Sequence, residues 1–454
     1  MTTKAGSMPT WTDSVIWWQV FPLGFTDAEK TALPADAPVA HRLPKLLEWL
    51  DYLIELGCNG LALNPIFASE THGYDIVDHF AVDSRLGDDA DIDALIAACH
   101  QRGVRVLFDG VFNHVGRAFP GFADVLEQRE KSAWAQWFHI DWDADGYDGF
   151  GYQSFEGHGG LVALNHDLPA VADYVESVML QWLDRGIDGW RLDAAYAVPL
   201  DFWRRVTGRV RERYPDAWFV GEVIHGDFPE FVQQGGLDSV TQYELWKSTW
   251  SSLNDGNFFE LEWTLKRHLE FCQVFVPMTF IGNHDVTRIA SQLTDPRLLP
   301  HALVVLFTVP GVPSIYYGDE QAFRGEKEDR EGGDDVVRPA FPADPSGLAD
   351  DGRPIYRLHQ DLIGLRRRET WLSTARIETI TLANEQLSYR AFDDDGHQLV
   401  VLLNISDDEF DFPLEGGGFQ LLLDGHGQDP THDGPDGTGA VVAAHGWAVV
   451  RPES

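Results

Sequence analysis

From about Val15 to Glu320, short apolar runs alternate with amphipathic stretches of helical period, the pattern of a parallel sheet covered by helices. Eight such runs occur in order: VIWWQVF ending at Phe21, GLALNP from Gly60, VRVLFDGVF from Val104, GIDGWRLDA from Gly186, AWFVGEV from Ala217, LDSVTQY from Leu237, TFIGNHD from Thr279 and VPSIYYGDE from Val312. Eight β/α repeats with no GxGxxG opening a helix predict a closed (β/α)₈ barrel, the TIM barrel, rather than an open doubly wound sheet. Polar residues collect at the C-terminal ends of the runs, where such a barrel carries its active site.

Two segments break the alternation. A long excursion rich in Trp, Asp and Gly separates the third and fourth runs, and loops of that length are functional lids or small subdomains. After Trp371 the period changes to two, as in LSYRAFD and QLVVLLNIS, which predicts a C-terminal antiparallel β-sandwich. The expected organisation is therefore a barrel over 1–115 and 166–370, an inserted small domain over 116–165 and a β-domain over 371–454. The Asp/Gly-rich stretch from Asp424 to Gly439 reads as a mobile loop.

Composition narrows the partners. A chain of 454 residues that is 44% hydrophobic can bury one large core and a satellite. A net charge of -38 repels nucleic acid and anionic membrane surfaces, so a neutral small molecule is expected instead. There is no basic, apolar leader and no apolar stretch long enough for a bilayer, which places the protein in the cytoplasm. Cys58, Cys99 and Cys272 lie in apolar contexts and read as buried thiols. Asp141, Asp143, Asp145 and Gly146 resemble the start of a calcium loop, but Tyr152 stands where a bidentate Glu belongs; a solvated loop is expected, and neither metal nor cofactor.

The candidate chemistry is a set of carboxylates. In GWRLDAA, Arg191 and Asp193 are two apart on a strand and share a face; a guanidinium beside a carboxylate favours the ionised form a nucleophile needs. VGEV presents Glu222 at the next strand end in an apolar setting, suited to proton donation. DGVFNH and FIGNHD bring Asp109, Asn113, His114, His284 and Asp285 to the same rim. An isolated RxD or strand-end His is more often structural, but so many polar groups on four strands of one barrel are costly to bury for packing alone. Paired carboxylates in a barrel mouth point to glycoside cleavage, with net retention if they stand about 5 Å apart.

These motifs, in this order, resemble those of glycoside hydrolase family 13, the α-amylase family, over essentially the whole chain. The resemblance implies Asp193 as nucleophile, Glu222 as general acid/base and Asp285 as the third carboxylate, holding the reacting sugar. It implies that His114, Arg191 and His284 contact the same ring, with Tyr74 of HGYD stacking on it, and that Asp109, Asn113 and His225 border the site. The segments PIFASETHGYDIVDHFAVDSRLG and GEVIH are most similar to the cyclomaltodextrinase, neopullulanase and maltogenic amylase group. Three features depart from that group: LVALN stands where MPKLN is usual, Tyr196 and Ala197 replace Asn-Glu, and the chain begins almost directly at the first barrel strand. The last implies that the group's N-terminal dimerisation domain is absent, so that any homodimer uses another surface. Ala197 also removes the histidine through which secreted family members hold calcium.

The resulting expectation is a retaining hydrolase of small, cyclic or branched malto-oligosaccharides that releases maltose, with cyclic maltosyl-maltose as its narrowest form. An exo-acting α-glucosidase, an α-glucan transglycosylase and a non-catalytic amylase-like binding protein stay open. Trp137, Phe150 and Tyr152 of the excursion are candidate sugar-stacking rings.

Overall fold

A computed structural model describes residues 8–146, 148–330, 332–414, 418–425, 431–434 and 439–453. Among them, eight parallel strands form one sheet: β1 (Trp17–Val20), β2 (Gly60–Leu63), β3 (Arg105–Gly110), β4 (Gly189–Leu192), β5 (Trp218–Gly221), β6 (Ser239–Val240), β7 (Met278–Phe280) and β8 (Val312–Tyr316). Neighbours pair in sequence order, β8 returns to β1, and a bridge between Thr241 and Met278 joins β6 to β7. The sheet thus closes on itself as the eight-run pattern predicts. Each run reads as continuously apolar because a barrel strand is covered on both faces, by the interior and by helices.

The strand period of two sorts the side chains. Trp17 points inward and stacks on Trp218 with centroids 5.7 Å apart, while Trp18 points outward against Trp49 and Phe25. Val15, Ala62, Leu107, Val220, Met278 and Val312 complete a dry inner layer near the start of the strands. One step toward the C-terminal ends the interior turns polar, with Gln19, Asn64, Asp109 and Arg191 all buried. The apolar floor excludes water from beneath this polar layer, so its charges act in a medium of low effective dielectric.

The excursion after β3 is anchored by the antiparallel pair His114–Gly116 and Leu161–Ala163. It has its own small core: Phe122 packs edge-on against Phe138 and Tyr152, and Phe150 against Trp142. Beyond the helix Arg353–Arg368, β9 (Arg376–Leu382), β10 (Gln386–Phe392) and β11 (Gln398–Asn404) form an antiparallel sheet with Phe419–Asp424 and Trp447–Pro452. Phe410–Pro413 and Gly439–Val442 belong to a second sheet, and Val400, Leu402, Phe412 and Val442 fill the space between the two, as expected for a sandwich. Most of the Asp424–Gly439 stretch lies outside the described residues. Cys58 and Cys99 are buried and Cys272 nearly so, all as free thiols, with burial pushing Cys99 and Cys272 up to about 12. Among the described residues no helix is long and apolar enough to cross a membrane.

Buried histidines give the fold a pH dependence of definite sign. Burial pushes His79, His268 and His359 each down from 6.5 to about 4. A base whose folded pKa is depressed contributes stability that is present above its unfolded value and lost as pH falls through the folded one. Stability should therefore fall between about pH 6.5 and about pH 4, with each ring contributing up to about 3 kcal/mol. Urea unfolding at a series of pH values checks this, and a flat profile across that window would contradict it.

Candidate active site

The parallel ladder continues past the ends of the strands and sets the two central carboxylates side by side. The Asp193 N–H donates to Gly110 O at 3.0 Å, and the Glu222 N–H to Leu192 O at 2.8 Å. Arg191, opposite Asp109 in the β3–β4 register, reaches up between them. Its Nη1 donates to both Asp109 oxygens at 2.7 and 2.6 Å and to Asp193 Oδ1 at 3.1 Å, and its Nη2 lies 2.8 Å from Glu222 Oε1. One guanidinium therefore spans three buried carboxyl groups from three adjacent strands.

Glu222 does not sit in the apolar setting its neighbours in sequence suggest. Besides Arg191, it accepts from the Tyr243 hydroxyl at 3.0 Å and from the Ala194 N–H at 3.0 Å. The Ala194 contact requires a left-handed backbone, φ 45 and ψ 39, in a residue with a side chain. Such a conformation costs on the order of 1 kcal/mol and persists where the surroundings impose it. Here it turns an amide toward the carboxylate.

The third carboxylate is more open. Asp285 has a side chain 32% exposed, with His284 Nε2 at 2.9 Å and Arg338 Nη2 at 2.8 Å. Desolvation works against its charge, but His284, Arg338 and Arg191 together hold its carboxyl far below the usual range. Asp193 moves the other way: burial, then the nearby Glu222 charge, push it well up, and Arg191 only partly opposes them. Asp109 and Glu222 share the guanidinium beside Asp193, so it offsets only part of that upward push.

The remaining sequence-predicted residues divide into two groups. Tyr74 donates to Asp109 Oδ2 at 3.0 Å, stacks on His284 with centroids 5.4 Å apart and hydrogen-bonds its Nε2. His114, pushed down to about 3 by burial and so neutral, receives Asn113 Nδ2 at 3.1 Å and stacks on Phe155 of the excursion. His225 is exposed, with its ring 5.0 Å from that of Tyr196.

Four participants escape the motif reading. Asn64 donates to Tyr74 and Asp109 at 3.0 Å each, and Gln19 contacts Asn64 and His284 at 3.2 Å; a polar residue inside an apolar run was the available signal for both. Tyr243 closes the sixth run, LDSVTQY, without belonging to any motif, and Arg338 lies in a segment that carries no periodic signal. Of the candidate sugar-stacking rings, Phe150 is buried, while Trp137 and Tyr152 are half-buried. Trp137 packs on Trp134 and Tyr174, and the Tyr152 hydroxyl donates to Gly159 O at 2.7 Å. Asp141 and Asp143 are exposed, with Asp141 Oδ1 accepting the Asp143 N–H at 3.1 Å.

The geometry agrees with what is similar to this chain elsewhere. The model of the α-amylase catalytic domain matches residues 19–379, and that of a domain of unknown function, DUF3459, matches residues 375–450. A cyclomaltodextrinase from a Bacillus species is 32% identical over 424 residues, 87% of this chain and 74% of that protein. Neopullulanase 2 of Thermoactinomyces vulgaris is 31% identical over 422 residues, covering 87% and 70%. Among solved structures, a cyclic α-maltosyl-(1→6)-maltose hydrolase from Arthrobacter globiformis shares the fold with a TM-score of 0.81 at 24% identity, over 98% of this chain and 99% of that one. A barrel with buried carboxylates gathered at the C-terminal ends of its strands, matched across its length by the catalytic-domain model, makes this chain a member of the α-amylase family of glycoside hydrolases, of the cyclomaltodextrinase type.

Proposed function

We propose that the protein hydrolyses the α-glucosidic bonds of small malto-oligosaccharides with net retention at the anomeric carbon. The observation that carries this reading is the Arg191 fork, which holds Asp193 and Glu222 at neighbouring strand ends. A single guanidinium spanning both fits the spacing of about 5 Å that a covalent route needs. Asp193 attacks the anomeric carbon as the bond to the leaving oxygen breaks, and Glu222 gives that oxygen its proton. Water then forms the new bond to the carbon, Asp193 leaves, and Glu222 takes the proton from the water. The Asp285 carboxylate, held ionised by His284 and Arg338, receives sugar hydroxyls, while Tyr74, His114, His284, Asp109 and Arg191 shape the pocket of the reacting ring.

All acid, base and nucleophile roles fall to side chains, and Ala163 and Ala197 offer no ligand oxygen in their side chains beside Asn113. Turnover should accordingly persist in excess chelator. Activity abolished by chelator and restored by calcium would reverse this expectation.

The substrate class follows from the relatives, whose names specify cyclic maltodextrins and pullulan. Maltose should be the main product, and kcat/KM on cyclodextrins, panose, maltotetraose or cyclic maltosyl-maltose should exceed that on starch. One product chromatogram over this panel tests the reading. Starch as the best substrate would make the enzyme a conventional amylase, glucose alone from chain ends would make it an exo-glucosidase, and longer products accumulating would make it a transglycosylase.

A further inference from the structure

Tyr243 opens the helix Tyr243–Asp255 directly after β6 and is buried, its ring edge-on against Phe280 of β7 with centroids 4.9 Å apart. Asn283 is buried in the turn after β7 that carries His284 and Asp285. Gly282 lets that turn lie so close to Asp319 that a Cβ there would not fit. Three hydrogen bonds join the turn to Glu222. The Asp285 N–H donates to Asn283 Oδ1 at 2.8 Å, Asn283 Nδ2 to the Tyr243 oxygen at 2.9 Å, and the Tyr243 hydroxyl to Glu222 Oε1 at 3.0 Å. Each bond has a fixed direction. A main-chain N–H can only donate, so it claims the Asn283 oxygen, and the amide faces the phenol with its NH2 group. The phenol oxygen accepts from that group, and its single proton is left for Glu222. Burial and the charges of Glu222 and Asp285 push the Tyr243 hydroxyl well above its ordinary value, so the proton stays on the phenol.

The two oxygens of Glu222 are thereby made unequal. Arg191 Nη2 lies 2.8 Å from Oε1, so a proton placed on Oε1 would meet both a guanidinium and a phenolic O–H. Oε2 receives one donor, the Ala194 N–H at 3.0 Å, and keeps a second acceptor site. We infer that Tyr243, aimed by Asn283, is a positioning residue that confines the transferable proton of the acid/base to Glu222 Oε2. In the first step the Oε2–H bond breaks and the leaving oxygen takes the proton as its bond to the anomeric carbon breaks; in the second the proton of the attacking water returns to Oε2. Neither Tyr243 nor Asn283 exchanges a proton with the substrate. The inference rests on the proposed role of Glu222 and adds which of its oxygens works and what decides it.

The test compares maltotetraose, whose leaving maltose needs a proton, with p-nitrophenyl α-maltoside, whose leaving phenolate does not. Tyr243→Phe keeps the ring and removes the hydroxyl. The ratio of kcat/KM on maltotetraose to that on the aryl maltoside should fall about tenfold, the effect of losing one hydrogen bond to a charged group. Asn283→Asp keeps an acceptor for the Asp285 N–H but turns a second acceptor toward the phenol, which draws the Tyr243 proton away from Glu222. It should lower the ratio by a similar factor, and Tyr243→Phe added to it should lower it no further. In both single variants the alkaline limb of kcat/KM on maltotetraose should move to higher pH, since the ionised Glu222, faced otherwise by Arg191, Asp193 and Tyr196, has lost a donor. A role in packing alone would lower both substrates alike and leave the limb in place. That result, or full additivity of the two substitutions, would overturn the assignment; should Tyr243→Phe not fold, the ratio and the limb in Asn283→Asp decide it. Failure of the underlying reading is seen separately, as a Glu222→Gln variant whose ratio equals that of wild type.

Discussion

Asp193→Asn and Glu222→Gln should each lower kcat on maltotetraose by roughly three orders of magnitude or more, which corresponds to at least about 4 kcal/mol of barrier. The two losses have different causes and can be told apart. An amide at 193 cannot form the covalent bond, so Asp193→Asn should be inactive on every substrate, whatever its leaving group. An amide at 222 cannot supply a proton, so Glu222→Gln should retain far more of its kcat/KM on p-nitrophenyl α-maltoside, whose leaving group departs without one, while kcat stays low because the second step still lacks its base. Both variants should fold, since each replaces a carboxyl by a group of the same shape within a network of donors. Near wild-type turnover in either purified variant would remove that residue from the mechanism.

The second large effect concerns stability. Arg191 is the cation shared by Asp109, Asp193 and Glu222, and its side chain is 9% exposed. Arg191→Ala strands three buried carboxyl groups, and breaking a buried pair from one side costs about 3–5 kcal/mol. The loss should grow as pH rises from about 5 to about 8, because at the acid end the stranded groups escape their desolvation by taking up protons. Denaturant unfolding of wild type and variant at the two pH values measures this directly. An equal and small loss at both would mean that the guanidinium contributes little to holding the mouth of the barrel together.

The barrel was legible because its strands are buried on both faces and therefore stand out as unbroken apolar runs; even β6, only two residues long, lies inside such a run. The polar residues at the strand ends were legible for the same reason, as exceptions to an apolar pattern. What stayed hidden came from outside that pattern. Arg338 reaches Asp285 from 53 residues away in a segment with no regular period. The left-handed turn at Ala194 leaves no trace in the sequence, since nothing about an alanine announces a positive φ. Composition marks Trp137, Phe150 and Tyr152 of the excursion as rings able to stack on sugars, but packing decides how much of each is open: Phe150 is buried, and Trp137 lies against Trp134 and Tyr174. Glu222 shows the same limit at the site itself, where Val220 and Val223 beside it in sequence say nothing of Arg191, Tyr243 and the Ala194 amide that surround its carboxyl.

The most direct test of a retaining two-carboxylate mechanism is the configuration of the first product. Proton NMR of maltotetraose hydrolysis, recorded before mutarotation equilibrates the anomers, should show newly released maltose as the α-anomer, since two inversions at the anomeric carbon return it to its starting configuration. Release of the β-anomer would mean a single displacement by water, and with it Asp193 could not be the nucleophile.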